Sequence, residues 1–221
     1  MKKSILFVAL LFVTVMGFSQ SDTLKFSVDL TNNFIWRGIQ VSPVAQVQPL
    51  ISYSRTTKNS LTYEFGAWSS FGLDGSYKEV DAYGRLSTSI FSLMVTDYML
   101  NTDDIFNYSD STMNIVEVSF GLNFDKLTLT LNTNVWGFDK REDGTQLYST
   151  YVEASYRVKN VLLFAGVTTG ESLYSDHFAM VNSGVTLYKD INIGNFTLPV
   201  KTSLVVNPDK GSIFANVAFT F

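Results

Sequence analysis

The chain of 221 residues contains no cysteine, one histidine and four prolines. Without cysteine there is no disulfide, no thiolate-bound zinc and no thiol nucleophile. A single histidine excludes a multi-histidine metal centre, so no metal or other cofactor is expected. Charge is also scarce, at 16% of residues, and basic residues number 16 against 20 acidic ones. That balance excludes a nucleic-acid binder, because phosphate contacts require a basic surface. Only one long apolar run exists, and it lies at the N-terminus. What is abundant is the hydrophobic fraction, 46%, of which the 14% aromatic share is a large part. Such a chain is too apolar for disorder and poor in charge for a soluble surface.

The N-terminal run has three parts. Lys2 and Lys3 precede an apolar stretch over residues 5–16, and Gly17-Phe18-Ser19 follows. Basic, apolar and small-residue parts in that order make a secretory signal peptide, expected at residues 1–19 and cleaved after Ser19. Its apolar stretch is shorter than the ~18–20 residues a membrane-spanning helix needs. Removal takes away Lys2 and Lys3 and leaves 14 basic against 20 acidic side chains.

The remainder, residues 20–221, is a succession of segments of about ten residues with period-two alternation. Between residues 112 and 138, Val116, Val118, Phe120, Leu122 and Phe124 share one face, with Glu117, Ser119, Gly121 and Asn123 opposite. After Asp125-Lys126 the chain returns with Leu127, Leu129, Leu131 and Val135 on the apolar face. Only a half-apolar strand pair uses that pattern. The same signal predicts twelve strands: 24–35, 46–56, 60–70, 78–88, 90–99, 112–124, 127–138, 147–158, 161–169, 178–189, 195–206 and 211–221. Short turns alternate with longer loops, except for a short connection over residues 207–210. An even count of such strands predicts an all-β fold, an antiparallel transmembrane β-barrel of about twelve strands. A soluble β-sandwich fits less well, because the second face carries Asn, Ser, Thr and charges. The ending Val217-Ala218-Phe219-Thr220-Phe221 resembles the C-terminal signal read by the barrel-assembly machinery. Tyr53, Tyr63, Phe124, Tyr156 and Phe221 fall at the short-turn end as a girdle.

Strict alternation turns ten charges into the lumen: Lys25, Arg37, Arg85, Arg157 and Lys201 against Asp29, Glu64, Asp81, Glu117 and Glu153. Inward placement is the cheap one for charges in a membrane. Five against five reads either as a salt-bridged interior that closes the barrel or as the walls of a narrow polar channel. Trp68, Tyr98 and Trp136 fall on the same phase at the loop end. They form either a ring able to stack on sugar or nucleobase faces, or, if a bulge flips them, part of an upper girdle beside Trp36. The loops are acidic, with Asp74, Glu79, Asp103, Asp104, Asp110, Asp139, Glu142, Asp143, Glu171, Asp176 and Asp209. Such a mouth would gather cations or bridge lipopolysaccharide phosphates through divalent ions. His177 sits beside Ser175 and Asp176, a run too compact for a catalytic triad built across strands, so no enzyme is expected.

The segment Asn32-Asn33-Phe34-Ile35-Trp36-Arg37-Gly38-Ile39-Gln40, followed by Pro43, Gln46 and Gln48, resembles the Gcw_chp-like family of Gram-negative exported proteins of unknown function. Gly66-Ala67-Trp68-Ser69-Ser70 matches a later element of that family, offset by one at the serine. The resemblance covers the first quarter of the mature chain and implies an exported barrel without an established activity. In this reading Trp36 points outward at a strand end, Arg37 points inward to pair with a carboxylate such as Asp81, and Gly38 opens the first loop.

Together these features predict a monomeric outer-membrane barrel of a Gram-negative bacterium, in contact with outer-membrane lipid and lipopolysaccharide. Its expected function is a narrow passive channel for small polar solutes. The alternatives are a closed structural or surface-contact barrel and, more remotely, an outer-membrane lipid hydrolase.

Overall fold

The computed structural model describes residues 22–100, 108 and 113–221. The expected signal peptide and the loop acids Asp103, Asp104 and Asp110 lie outside them.

Fourteen strands are formed among the described residues. They are β1 (Asp22–Thr31), β2 (Phe34–Trp36), β3 (Ile39–Ser42), β4 (Gln46–Thr56), β5 (Thr62–Gly72), β6 (Lys78–Ser87) and β7 (Phe91–Leu100). They continue with β8 (Met113–Phe124), β9 (Leu127–Gly137), β10 (Thr150–Val158), β11 (Val161–Thr168), β12 (Ala179–Ile193), β13 (Phe196–Asn207) and β14 (Ser212–Thr220). Twelve of them close into one antiparallel barrel in the order β1-β14-β13-β12-β11-β10-β9-β8-β7-β6-β5-β4. β2 and β3 pair only with each other. The twelve-stranded barrel expected from the alternation is therefore the fold.

The seam is closed by the last residue. Asp29, Leu30 and Thr31 face Thr220, Phe219 and Ala218, and Val28 and Phe221 exchange backbone hydrogen bonds of 3.0 and 2.9 Å. Full closure leaves the twelve barrel strands without a free edge. The short turns are tight. Asp125 and Lys159 adopt positive φ, as two-residue hairpin turns require.

Alternation decides which way each side chain points. Leu24, Phe26, Phe120, Leu131, Leu163 and Leu204 are exposed on the outer surface. Ser52, Thr96, Ser119, Asn132 and Thr186 are buried inside. The girdle residues at the short-turn end keep their expected face: Phe124, Tyr156 and Phe221 are exposed, and Phe221 stacks on Phe196. A soluble fold buries its apolar face; this one turns it outward. The β12–β13 pair also runs beyond its expected limits, through Ile193 and Phe196, around a turn at Gly194 with φ +60.

The first strand departs most from expectation. β1 stops at Thr31 and not at residue 35. β2 and β3 form a separate hairpin whose two-residue turn, Arg37-Gly38, has φ values of 48 and 80. This hairpin does not extend the wall. It folds inward and fills the loop end of the barrel.

Candidate functional site

The hairpin crosses the lumen. Phe34 packs on Trp68 of β5 at 5.4 Å between ring centroids, and on Tyr77 at 5.9 Å. Trp36 meets Tyr98 of β7 at 5.7 Å and Tyr174 at 5.5 Å. Behind them Tyr151, Tyr174, Ala179 and Val181 form a buried apolar cluster against Trp36 and Ile39. Trp36, expected in the outer girdle, is therefore inside the barrel. Its ring would be at an interface only if the chain continued as wall past Thr31.

At the hairpin's tip Arg37 reaches β8. Its guanidinium forks onto Glu117: Nη1 donates to Oε2 in a short bond, and Nη2 donates to Oε1 at 2.9 Å. Nη1 also donates to the Tyr174 hydroxyl at 2.6 Å, and the Trp36 and Tyr151 rings lie 4.5 and 4.8 Å from the guanidinium carbon. Glu117 accepts further bonds from Tyr98 and Ser119, both at 3.0 Å. The side chains are 12% and 1% exposed, so this is a buried, bidentate pair with its lone pairs occupied. Arg37 belongs to the lumen as expected, but it enters from the hairpin tip. Its partner is Glu117 and not Asp81. Next to it Gly38 lies against β12: a Cβ built there would sit 1.9 Å from the Val181 carbonyl oxygen. The Gly38 carbonyl accepts from Asn207 Nδ2 at 3.1 Å. The hairpin tip therefore touches two separate parts of the wall, β8 and the β12–β13 pair.

The remaining lumen charges keep their phase but pair less than five against five suggests. Lys201 donates to Asp29 at 3.3 Å. Glu64 accepts from Tyr83 at 2.7 Å and lies opposite Arg85 in register. Glu153 is bound by the Tyr151 hydroxyl and by Asn182. Asp81 is buried, and its Oδ1 has no protein partner. Arg157 covers the Tyr188 ring at 4.4 Å. Lys25 and Arg157 point inward yet are exposed, which marks the short-turn end as open to solvent. Tyrosine hydroxyls bind several of the carboxylates that the charge count would assign to cations. The eleven tyrosines are the sequence signal for this.

The three expected mouth aromatics divide. Trp68 and Tyr98 face inward and become walls of the hairpin's seat. Trp136 faces outward, 46% exposed, because the β8–β9 register shifts: Val116 pairs with Trp136 while Glu117 pairs with Asn134. Val135 is the extra residue, and one inserted residue inverts the phase beyond it. Tyr108 packs on Trp136 at 6.1 Å and donates to Asp97.

Two loop assignments also change. Glu79, with Lys78, belongs to β6; its carboxylate is buried inside and accepts from Tyr77. Asp139 is fully buried and holds the Ser149 amide and hydroxyl at 2.8 and 2.7 Å. The lone His177 has Asp176 at 2.5 Å and Ser175 at 3.3 Å on the same nitrogen, Nδ1, and Asp209 at 3.4 Å from Nε2. Both ring nitrogens face carboxylates, so Ser175 has no free base. Among the described residues no group of acidic or imidazole side chains has the spacing of a metal site.

Several loop acids are tuned locally. The backbone N–H and hydroxyl of Ser76 hold the Asp74 carboxyl below its ordinary range. The hydroxyl and N–H of Thr145 do the same for Asp143, and His177 does so for Asp176. A carboxylate depressed in the folded state stabilises above its unfolded pKa and loses that contribution as pH falls through the lower folded value. Protection of the loop amides, their exchange rate relative to the intrinsic rate at the same pH, is therefore expected to stay constant from about pH 8 to about pH 5 and to fall below about pH 4, near the unperturbed Asp value. Loops that loosen first on the alkaline side would contradict these bonds.

No family model matches the chain, and no curated protein matches it.

Proposed function

We propose that the chain is an outer-membrane barrel, exported by a signal peptide at residues 1–19, whose path for small polar solutes is closed at rest by its own hairpin. The carrying observation is the latch between Arg37 and Glu117, which pins an inserted hairpin across the loop end. The outward apolar belt and inward charges support the membrane setting. The resemblance of residues 32–48 to the Gcw_chp-like family supports export. The acidic loops then face outward, where lipopolysaccharide lies, and no catalytic step is assigned.

The hairpin's seat is polar enough to release. Asp81 Oδ1, Thr96 Oγ1 and both side-chain polar atoms of Asn134 are buried beside Glu117 without protein partners. Buried polar atoms normally have partners, and water supplies them where protein does not. A seam of this kind separates more easily than a dry apolar core. A permanently closed barrel, serving surface contact alone, is the second reading. The apolar cluster at Tyr151, Tyr174 and Val181 favours it.

Liposome swelling with arabinose separates the two. Native protein is expected to give almost no swelling, and Arg37→Ala to give swelling that excludes larger sugars. No swelling from a correctly folded Arg37→Ala would favour the permanently closed barrel. Full swelling from the native protein would sink the gate.

A further inference from the structure

Beneath the hairpin lies a second feature that the latch does not use. A cavity of about 360 Å³ is roofed by Asn33, Phe34 and Ile35 and walled by seven barrel strands, β1, β4, β5 and β11 to β14. Pockets of this size hold small organic ligands. Three rings line it, from Phe34, Trp68 and Phe164, together with Asp29, Lys201 and Asn216. Lys25 and Arg157, further toward the short-turn end on the same inner face, are exposed to solvent.

The wall chemistry narrows the ligand. Asp29 is held from one side by the Thr220 hydroxyl at 2.7 Å, and Lys201 touches its other oxygen at 3.3 Å. Both side chains keep exposed surface, 24% and 38%, so carboxylate acceptors and ammonium donors remain available. The pair is neutral overall, which gives no preference for an ion of either sign. Adjacent hydroxyls of a polyol satisfy such a pair by donating to the carboxylate and accepting from the ammonium. The Phe34 and Trp68 rings meet at 55°, so they form no parallel slot for a flat base. They offer apolar faces instead, suited to the C–H face of a puckered ring.

We propose that this chamber binds a neutral pyranose sugar entering from the short-turn end. In this proposal the sugar arrives past the solvated Lys25 and Arg157, so binding does not require the gate to move.

The test is calorimetry on the full folded protein in a detergent without a sugar headgroup, with D-glucose as probe and adenosine as comparison. Heat-modifiable gel migration reports folding of each variant. Glucose is expected to bind saturably and more tightly than adenosine. Asp29→Asn and Lys201→Met are each expected to weaken it about tenfold, the scale of losing a charged hydrogen bond. Lys25→Met, outside the chamber, leaves it unchanged. Folded protein that binds no glucose overturns the proposal, as does tighter binding of adenosine or equal loss in the Lys25→Met variant. Failure here would leave the swelling result untouched.

Discussion

Glu117→Ala is expected to undock the hairpin and expose the bond after Arg37 to trypsin. The substitution leaves a buried guanidinium without its counter-charge, and removing one partner of a buried pair costs about 3–5 kcal/mol. The Tyr98 and Ser119 bonds are lost with it, since both end on the same carboxylate. In the native protein Arg37 is 12% exposed and pressed between aromatic rings, so trypsin cannot reach it. Cleavage between Arg37 and Gly38, read by mass spectrometry, should therefore be absent from the native chain and prominent in the variant. Glu117→Gln keeps an acceptor without the charge and should fall between them. Equal resistance in all three would mean that the latch does not hold the hairpin.

Gly38→Ala is expected to release the same hairpin from β12. Two effects act together. At φ +80 an L side chain is strained by about 1–2 kcal/mol. The new Cβ would also lie 1.9 Å from the Val181 carbonyl oxygen, which is backbone and cannot swing aside. Overpacking of this kind typically adds about 1–3 kcal/mol. Gly144→Ala is the control, because Gly144 has φ +82 and nothing within 4 Å of its Cβ position. Undocking in Gly38→Ala alone assigns the effect to the clash; undocking in neither variant places the turn away from β12. Combining Gly38→Ala with Glu117→Ala should add little, since a hairpin already free cannot be freed twice.

The barrel was legible because period-two alternation is a local signal repeated twelve times. β8 and β9 show it most plainly, and only their last turn breaks it, where Val135 inserts and sends Trp136 outward. Nothing in the residue types around Val135 marks that insertion; it follows from the partner strand's register. The hairpin was different. Arg37-Gly38 between Phe34, Trp36, Ile39 and Val41 has the form of a two-residue turn flanked by alternating apolar residues. Read as a continuation of β1, the same residues become wall and loop. What hid the hairpin is that Phe34, Trp36 and Ile39 find apolar and aromatic partners inside the barrel, a tertiary fact. The charges divide in the same manner. Asp29, Glu117 and Lys201 lie on the inner face that phase alone assigns them, whereas the choice of Glu117 over Asp81 for Arg37 depends on how far a hairpin of this length reaches. Glu79 lies within the expected strand 78–88, yet its charge groups it with the loop acids; the Tyr77 hydroxyl that holds it inside is a contact that phase alone does not announce.

Planar-bilayer conductance of the native chain, set against a variant with residues 33–43 replaced by a short Gly-Ser link, tests the closing role of the hairpin most directly. Heat-modifiable migration confirms that each forms its barrel. The native protein should show no steady current, and the variant should show a stable small pore. A native current equal to that of the variant would contradict the account.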